Sequence, residues 1–133
     1  MITAVDTSVI LDILSASPGH LDSSLSLFRK ALGEGSLIAC PVVWAEIRPF
    51  FDSENEMALT MGKLGVGFDD FGKSAADKAG LIWRAYRKNK GARERVIADF
   101  LVGSHALLKA DRLLTRDRGY YRGYFENLTL LVP

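Results

Sequence analysis

Along this chain, short and nearly unbroken apolar runs alternate with longer stretches in which apolar residues return every three or four positions. The first pattern predicts buried strands and the second amphipathic helices. Residues 2–5 read as a strand. Asp6, Thr7 and Ser8 are three consecutive helix-capping residue types, and Val9, Ile10, Leu11, Ile13 and Leu14 start a helix behind them. After a loop at 15–19, Leu21, Leu25, Leu27, Phe28 and Leu32 keep helical spacing until Gly33 stops it. Residues 36–40 form a second strand. Pro41 suits the first turn of a short helix, which Pro49 ends or kinks. A helix at 54–61 and a third strand at 65–71 follow. Ala75, Ala79, Ile82, Trp83 and Tyr86 mark the stripe of a longer helix, broken at 89–92. Val96, Ile97, Phe100, Leu101, Leu107 and Leu108 define the next helix. Residues 112–115 form a fourth strand, 116–125 a loop rich in Gly, Arg and Tyr, and 128–132 a final strand.

Strands alternating with helices imply an α/β fold with a mostly parallel sheet covered on both faces. The chain has 133 residues with no repeat, linker or low-complexity segment, so a single domain spanning 1–133 is expected. A chain of that size buries about two-thirds of its unfolded surface and needs no disulfide staple. Its one cysteine, Cys40, cannot form an internal disulfide, which favours a reducing compartment, the cytoplasm. The opening apolar run lacks a basic flank and stops at Asp6, which argues against a signal peptide. No stretch approaches the ~18 uncharged apolar residues of a membrane span.

The net charge of +1 hides an uneven distribution. Between Arg84 and Arg95 lie six basic residues against one acid, Glu94; between Lys109 and Arg122 lie five against Asp111 and Asp117. Basic runs attract polyanions, although a solvated face explains either run equally well. The second run surrounds an acid, and a basic rim beside an acidic pocket suits a nucleic-acid substrate.

The chemistry rests on four carboxylates: Asp6, Glu46, Asp99 and Asp117. Asp6 ends the first strand and Asp117 follows the fourth. In an open α/β sheet, ligands bind beyond the carboxyl ends of the strands, so these acids can face one another across a crevice. Clustered carboxylates repel unless a cation neutralises them, and oxygen-only ligands point to Mg²⁺ or Mn²⁺. One or two such ions can activate water and stabilise the charge that develops during phosphodiester hydrolysis. Thr7, Ser8 and Thr115 could position waters or hydrogen-bond the acids. Each acid alone has a plain alternative. Asp6 could cap a helix, Glu46 could be solvated, Asp99 could pair with Arg95 four residues earlier, and Asp117 could be a turn residue beside Gly119. The signal lies in the set.

Taken in order, these segments resemble the PIN domain, and more narrowly the VapC-like toxins of toxin–antitoxin pairs. Val5-Asp6-Thr7-Ser8-Val9 resembles the opening strand-and-acid motif, and Glu46 lies in a helix as the second acid of that family does. The segment from Ile97 to Ala106, with Asp99, resembles the helix bearing the third, and Leu113-Leu114-Thr115-Arg116-Asp117 resembles the last motif. The resemblance spans essentially the whole chain. It implies a Rossmann-like α/β/α sandwich with about five mostly parallel strands. It also implies Mg²⁺- or Mn²⁺-dependent endoribonuclease activity, a homodimer, and a small antitoxin partner that blocks the site. Asp6, Glu46, Asp99 and Asp117 would be the metal ligands, with Thr115, Thr7 and Ser8 around them. Arg116, Arg118 and Arg122 would contact RNA phosphates.

The other chemistry-bearing residues point elsewhere less clearly. Tyr120, Tyr121, Tyr124 and Phe125 alternate with arginines and could stack on bases or pack over the last strand. His105, His20 and Cys40 lack metal-ligand or catalytic neighbours in sequence. Haloacid-dehalogenase-like phosphatases need a second acid two positions after the first, where this chain has Ser8. Receiver domains need an acidic pair near the first strand, and Asp6 stands alone. The remaining rival is a PIN-like fold without catalysis that binds RNA or another protein.

Overall fold

The computed structural model describes residues 1–89 and 95–133. Lys90, Arg93 and Glu94 of the first basic run, and most of the break expected at 89–92, lie outside the described residues. Among the described residues, five strands alternate with helices: β1 (Ile2–Val5), β2 (Ser36–Ala39), β3 (Val66–Phe68), β4 (Arg112–Leu114) and β5 (Leu130–Leu131). The helices are α1 (Thr7–Leu14), α2 (Leu21–Glu34), α3 (Pro41–Ile47), α4 (Glu54–Leu64), α5 (Lys73–Lys88), α6 (Ile97–Lys109) and α7 (Arg118–Tyr124). A single 3-10 turn (Arg48–Phe50) follows α3, where Pro49 was expected to end that helix.

The strands form one sheet in the order β3-β2-β1-β4-β5, and every pairing is parallel. Starting at β1 in the centre, the chain builds outward to β3, then returns to the other side of β1 for β4 and β5. Val5 lies opposite Leu114, so β1 and β4 end side by side. That is the topological switch point, where an open parallel sheet leaves a crevice beyond its strand ends.

The strands read as continuous apolar runs because both faces are covered. Ala4, Val5, Leu37, Ala39, Val66, Leu113 and Leu114 are all buried, packed against Ile10, Phe28, Ile47, Met57, Met61, Ala79 and Phe100 from the helices. α4 opens on the Ser53 hydroxyl, which accepts from the Glu56 N–H at 3.0 Å. It closes at Gly65, whose φ of 77° lies in the left-handed region open to glycine.

Three expectations shift. The stretch 116–125, expected as a loop, contains α7. β3 stops at Phe68 and β5 spans two residues, so the outer strands are shorter than the apolar runs that suggested them. Tyr120 and Phe125 pack onto Phe100 of α6, Tyr121 packs onto both of them, and all three are buried, so they are core residues and no free stacking platform.

Candidate metal centre

The crevice beyond β1 and β4 is assembled by backbone first. The Asp6 N–H donates to the Leu114 carbonyl at 2.9 Å, extending the β1–β4 ladder by one residue. This brings the Asp6 side chain beside Thr115. The Thr115 hydroxyl is fully buried; it donates to Asp6 Oδ2 at 2.6 Å and accepts from the Asp117 N–H at 3.0 Å. One hydroxyl therefore ties the first acid to the backbone of the fourth.

The other oxygen of Asp6, Oδ1, accepts from the Thr7 N–H at 2.8 Å and so caps α1. A carboxylate at a helix N-terminus is favoured by the exposed N–H groups and the helix dipole. The Thr7 hydroxyl turns the other way and donates to Glu46 Oε1 at 2.7 Å, linking α1 to α3. The second acid is exposed, at the open side of the crevice. Asp99 stands in the first turn of α6, where its carboxylate accepts from the Val96 N–H at 3.0 Å. Asp117 caps the crevice on the β4 side and forms an ion pair with Arg95, whose guanidinium also lies 4.3 Å from the Tyr120 ring centroid.

The four acids share one electrostatic neighbourhood. Burial pushes the Asp6 carboxyl up to about 6, and the nearby charges of Glu46 and Asp117 add to the rise. The hydrogen bonds from Thr115 and Thr7 oppose it. Burial raises the Tyr121 hydroxyl well above the usual tyrosine range, and Asp6, Asp99 and Asp117 all add to that rise. Arg95 is partly desolvated, which opposes its charge, yet Asp117 and then Asp99 hold it more firmly protonated than usual.

The residues fit a hard divalent cation in donor chemistry. Four carboxylates and the hydroxyls of Thr7 and Thr115 offer oxygen alone. Ser8, in the first turn of α1, keeps a buried hydroxyl with no hydrogen-bond partner among the described residues, a group that favours a further ligand or water. A cation would offset both the burial that chiefly raises Asp6 and the repulsion that adds to it. The cage is not closed as arranged: among the described residues, no three of His, Cys, Asp and Glu converge as a ready-made ion site. One of the four carboxylates, Asp117, is engaged by the Arg95 guanidinium.

The arginines differ from one another. Arg116 donates from Nε to Asp12 Oδ2 at 2.8 Å and from Nη2 to Asp12 Oδ1 at 3.0 Å. Asp12 is buried and also accepts from the Ser24 hydroxyl at 2.7 Å. Arg118 and Arg122 are exposed on α7. His105 is buried on α6 and its Nε2–H donates to Asp69 Oδ2 at 2.8 Å, with Lys109 3.7 Å from the same oxygen. Sequence reading did not find Asp12 or the Asp117 role of Arg95. Both pairings join residues remote in sequence or outside a helical spacing, so no local pattern announces them.

The chain belongs to the PIN domain family, whose profile matches residues 3–126. No curated protein matches the sequence. Several solved structures share the fold. VapBC2 from Rickettsia felis bound to a promoter DNA fragment is 20% identical, with a TM-score of 0.75 over 99% of this chain and 98% of that one. VapBC-1 from nontypeable Haemophilus influenzae is 18% identical, with a TM-score of 0.74 over 99% and 98%. A toxin–antitoxin complex from Klebsiella pneumoniae is 15% identical, with a TM-score of 0.69 over 98% and 97%.

Proposed function

We propose that this PIN domain is a divalent-metal-dependent endoribonuclease acting as the toxin of a VapBC-type toxin–antitoxin pair. The observation that carries the reading is the Asp6 cluster. A carboxylate at the switch point of a parallel sheet is raised by burial and by two further acids, within a site made of oxygen donors alone. Family membership and the likeness to chains from VapBC complexes support it.

In this reading Asp6, Glu46, Asp99 and Asp117 hold Mg²⁺ or Mn²⁺, and the ion supplies charge neutralisation and water activation for phosphodiester hydrolysis. Thr115 fixes the Asp6 carboxylate against the Asp117 backbone, Thr7 fixes Glu46, and Ser8 contributes a hydroxyl at the start of α1. Arg118 and Arg122 contact RNA phosphates from the exposed face of α7. Arg116 retains one unengaged nitrogen for the same purpose and otherwise clamps Asp12. The protein partners are a small antitoxin covering the crevice and a second copy of the chain, in the cytoplasm. One observation favours a second reading, a PIN fold that binds RNA or protein without cleaving: the acids do not converge as a closed cage.

The test is incubation of total cellular RNA with purified protein in Mg²⁺, in Mn²⁺ and in EDTA, beside Asp99→Asn. The expected outcome is discrete, metal-dependent fragments with wild type and a loss of at least about a hundredfold in rate with the variant, which keeps its far-UV circular dichroism. Cleavage that survives EDTA or the substitution would sink the nuclease reading. Intact RNA throughout would favour the binding module.

A further inference from the structure

The Arg95 side chain occupies an unusual position for a residue outside the four-acid set. Its guanidinium pairs with Asp117, is held electrostatically by Asp99, and lies 4.3 Å from the centroid of the Tyr120 ring. Arginine suits this place because a planar, permanently charged fork can stack on an aromatic face and grip a carboxylate at once. Tyr120 is buried and packed on Phe100, so the ring is a fixed platform. Arg95 also sits one residue before Val96, whose N–H is held by Asp99. Its backbone is therefore anchored at the start of α6, beside two of the four acids.

A guanidinium and a divalent cation bring positive charge to the same carboxylate, and they compete for the electron density of the Asp117 oxygen that Arg95 grips. We propose that Arg95 is a positioning residue that competes with the metal ion for Asp117 and thereby sets how tightly the site binds that ion. The competition has two physical parts. The ion pair must be weakened before the Asp117 oxygen can be shared with a cation, and the positive charge of Arg95 stays close enough to repel that cation. Both parts weaken metal binding, and both disappear when the side chain loses its charge. The pair is partly exposed, at 28% and 36% for the two side chains, so screening by water keeps the effect moderate. The inference rests on the metal reading given above, but its readout is metal affinity and needs no RNA.

The experiment is calorimetric titration of MnCl₂ into wild type, Arg95→Gln and Arg95→Lys. The expected result is roughly threefold to tenfold tighter Mn²⁺ binding for Arg95→Gln, with Arg95→Lys close to wild type because it keeps the charge. A residue with a merely structural role would leave the affinity unchanged or weaken it, and either result in Arg95→Gln overturns the proposal. If Arg95→Gln misfolds, the Arg95 Nε–H resonance of the wild type, assigned by its loss in Arg95→Lys, gives a second readout. Mg²⁺ should shift it as the pair opens; a resonance that stays put at saturating Mg²⁺ overturns the proposal equally. Wild type and Arg95→Gln both failing to bind Mn²⁺ would overturn the metal reading itself. Binding by wild type with no change in Arg95→Gln would overturn this inference alone.

Discussion

Asp6 performs two tasks that sequence reading sets against each other. It caps α1 through Oδ1 and faces the acid cluster through Oδ2. Being a cap explains its position, and being buried beside two other acids explains its electrostatics. With its carboxyl raised from 3.8 to about 6, Asp6 ionises later in the folded chain than in the unfolded one. Below about pH 4 the proton is held in both states and burial costs nothing. Through the window up to about 6 the unfolded chain sheds its proton first, and above it the full cost, roughly 3 kcal/mol, is present. Asp6→Asn should therefore raise the melting temperature in EDTA at pH 7.5 and keep only about a third of that gain near pH 4.5. Buried His105 titrates with the opposite sign, since burial lowers it and favours its neutral form at higher pH. Paired melts of wild type and Asp6→Asn cancel that contribution. A gain undiminished at pH 4.5 would show that the acid is not the cause.

Among the elements, α7 shows where local reading fails. Gly119 and Gly123 each cost a helix about 1 kcal/mol relative to Ala, so 116–125 looks like a loop. What overrides propensity is burial of Tyr120 and Phe125 against Phe100, and of Tyr121 against both. Gly103 of α6 makes room for this: a Cβ there would come within 2.5 Å of the Phe125 ring. The segment preceding α7 is held by Arg116, whose fork satisfies the buried Asp12 of α1. Arg116→Ala would leave that carboxylate with the Ser24 hydroxyl alone. It should cost about 2–3 kcal/mol in urea unfolding at neutral pH. Arg118→Ala and Arg122→Ala, both on exposed positions, should stay within about 0.5 kcal/mol of wild type. Equal losses at all three would remove the clamp from the explanation.

For the molecule as a whole, the order of strands was less legible than their existence. Five apolar runs between amphipathic stretches announce a parallel sheet, and the acids at the ends of the first and fourth runs announce a crevice. The grip of Arg95 on Asp117 and of Arg116 on Asp12 leaves no mark on hydrophobic pattern, because side-chain partners across a crevice obey no sequence period. The same absence of period explains why Thr115 was legible as a residue that could hydrogen-bond the acids, but not as one that joins Asp6 to the Asp117 backbone. The topology predicts a gradient of stability. β1 is central, paired on both sides, and β3 and β5 are short edges. Amide hydrogen exchange should be slowest in β1 and in the amides of β4 and fastest among strands in β3 and β5. Faster exchange in β1 than in β3 would contradict the central placement.

The bond from Thr115 to Asp6 spans 109 positions of the chain. During synthesis the amino end emerges first, and its acid waits without the hydroxyl and the fourth carboxylate until the last strands have been made. Pairing of β1 with β4 is among the longest-range contacts in the fold, the kind that closes late because the intervening chain must first be ordered. An acid cluster built this way is incomplete in any nascent chain that has not yet exposed the segment carrying Thr115 and Asp117.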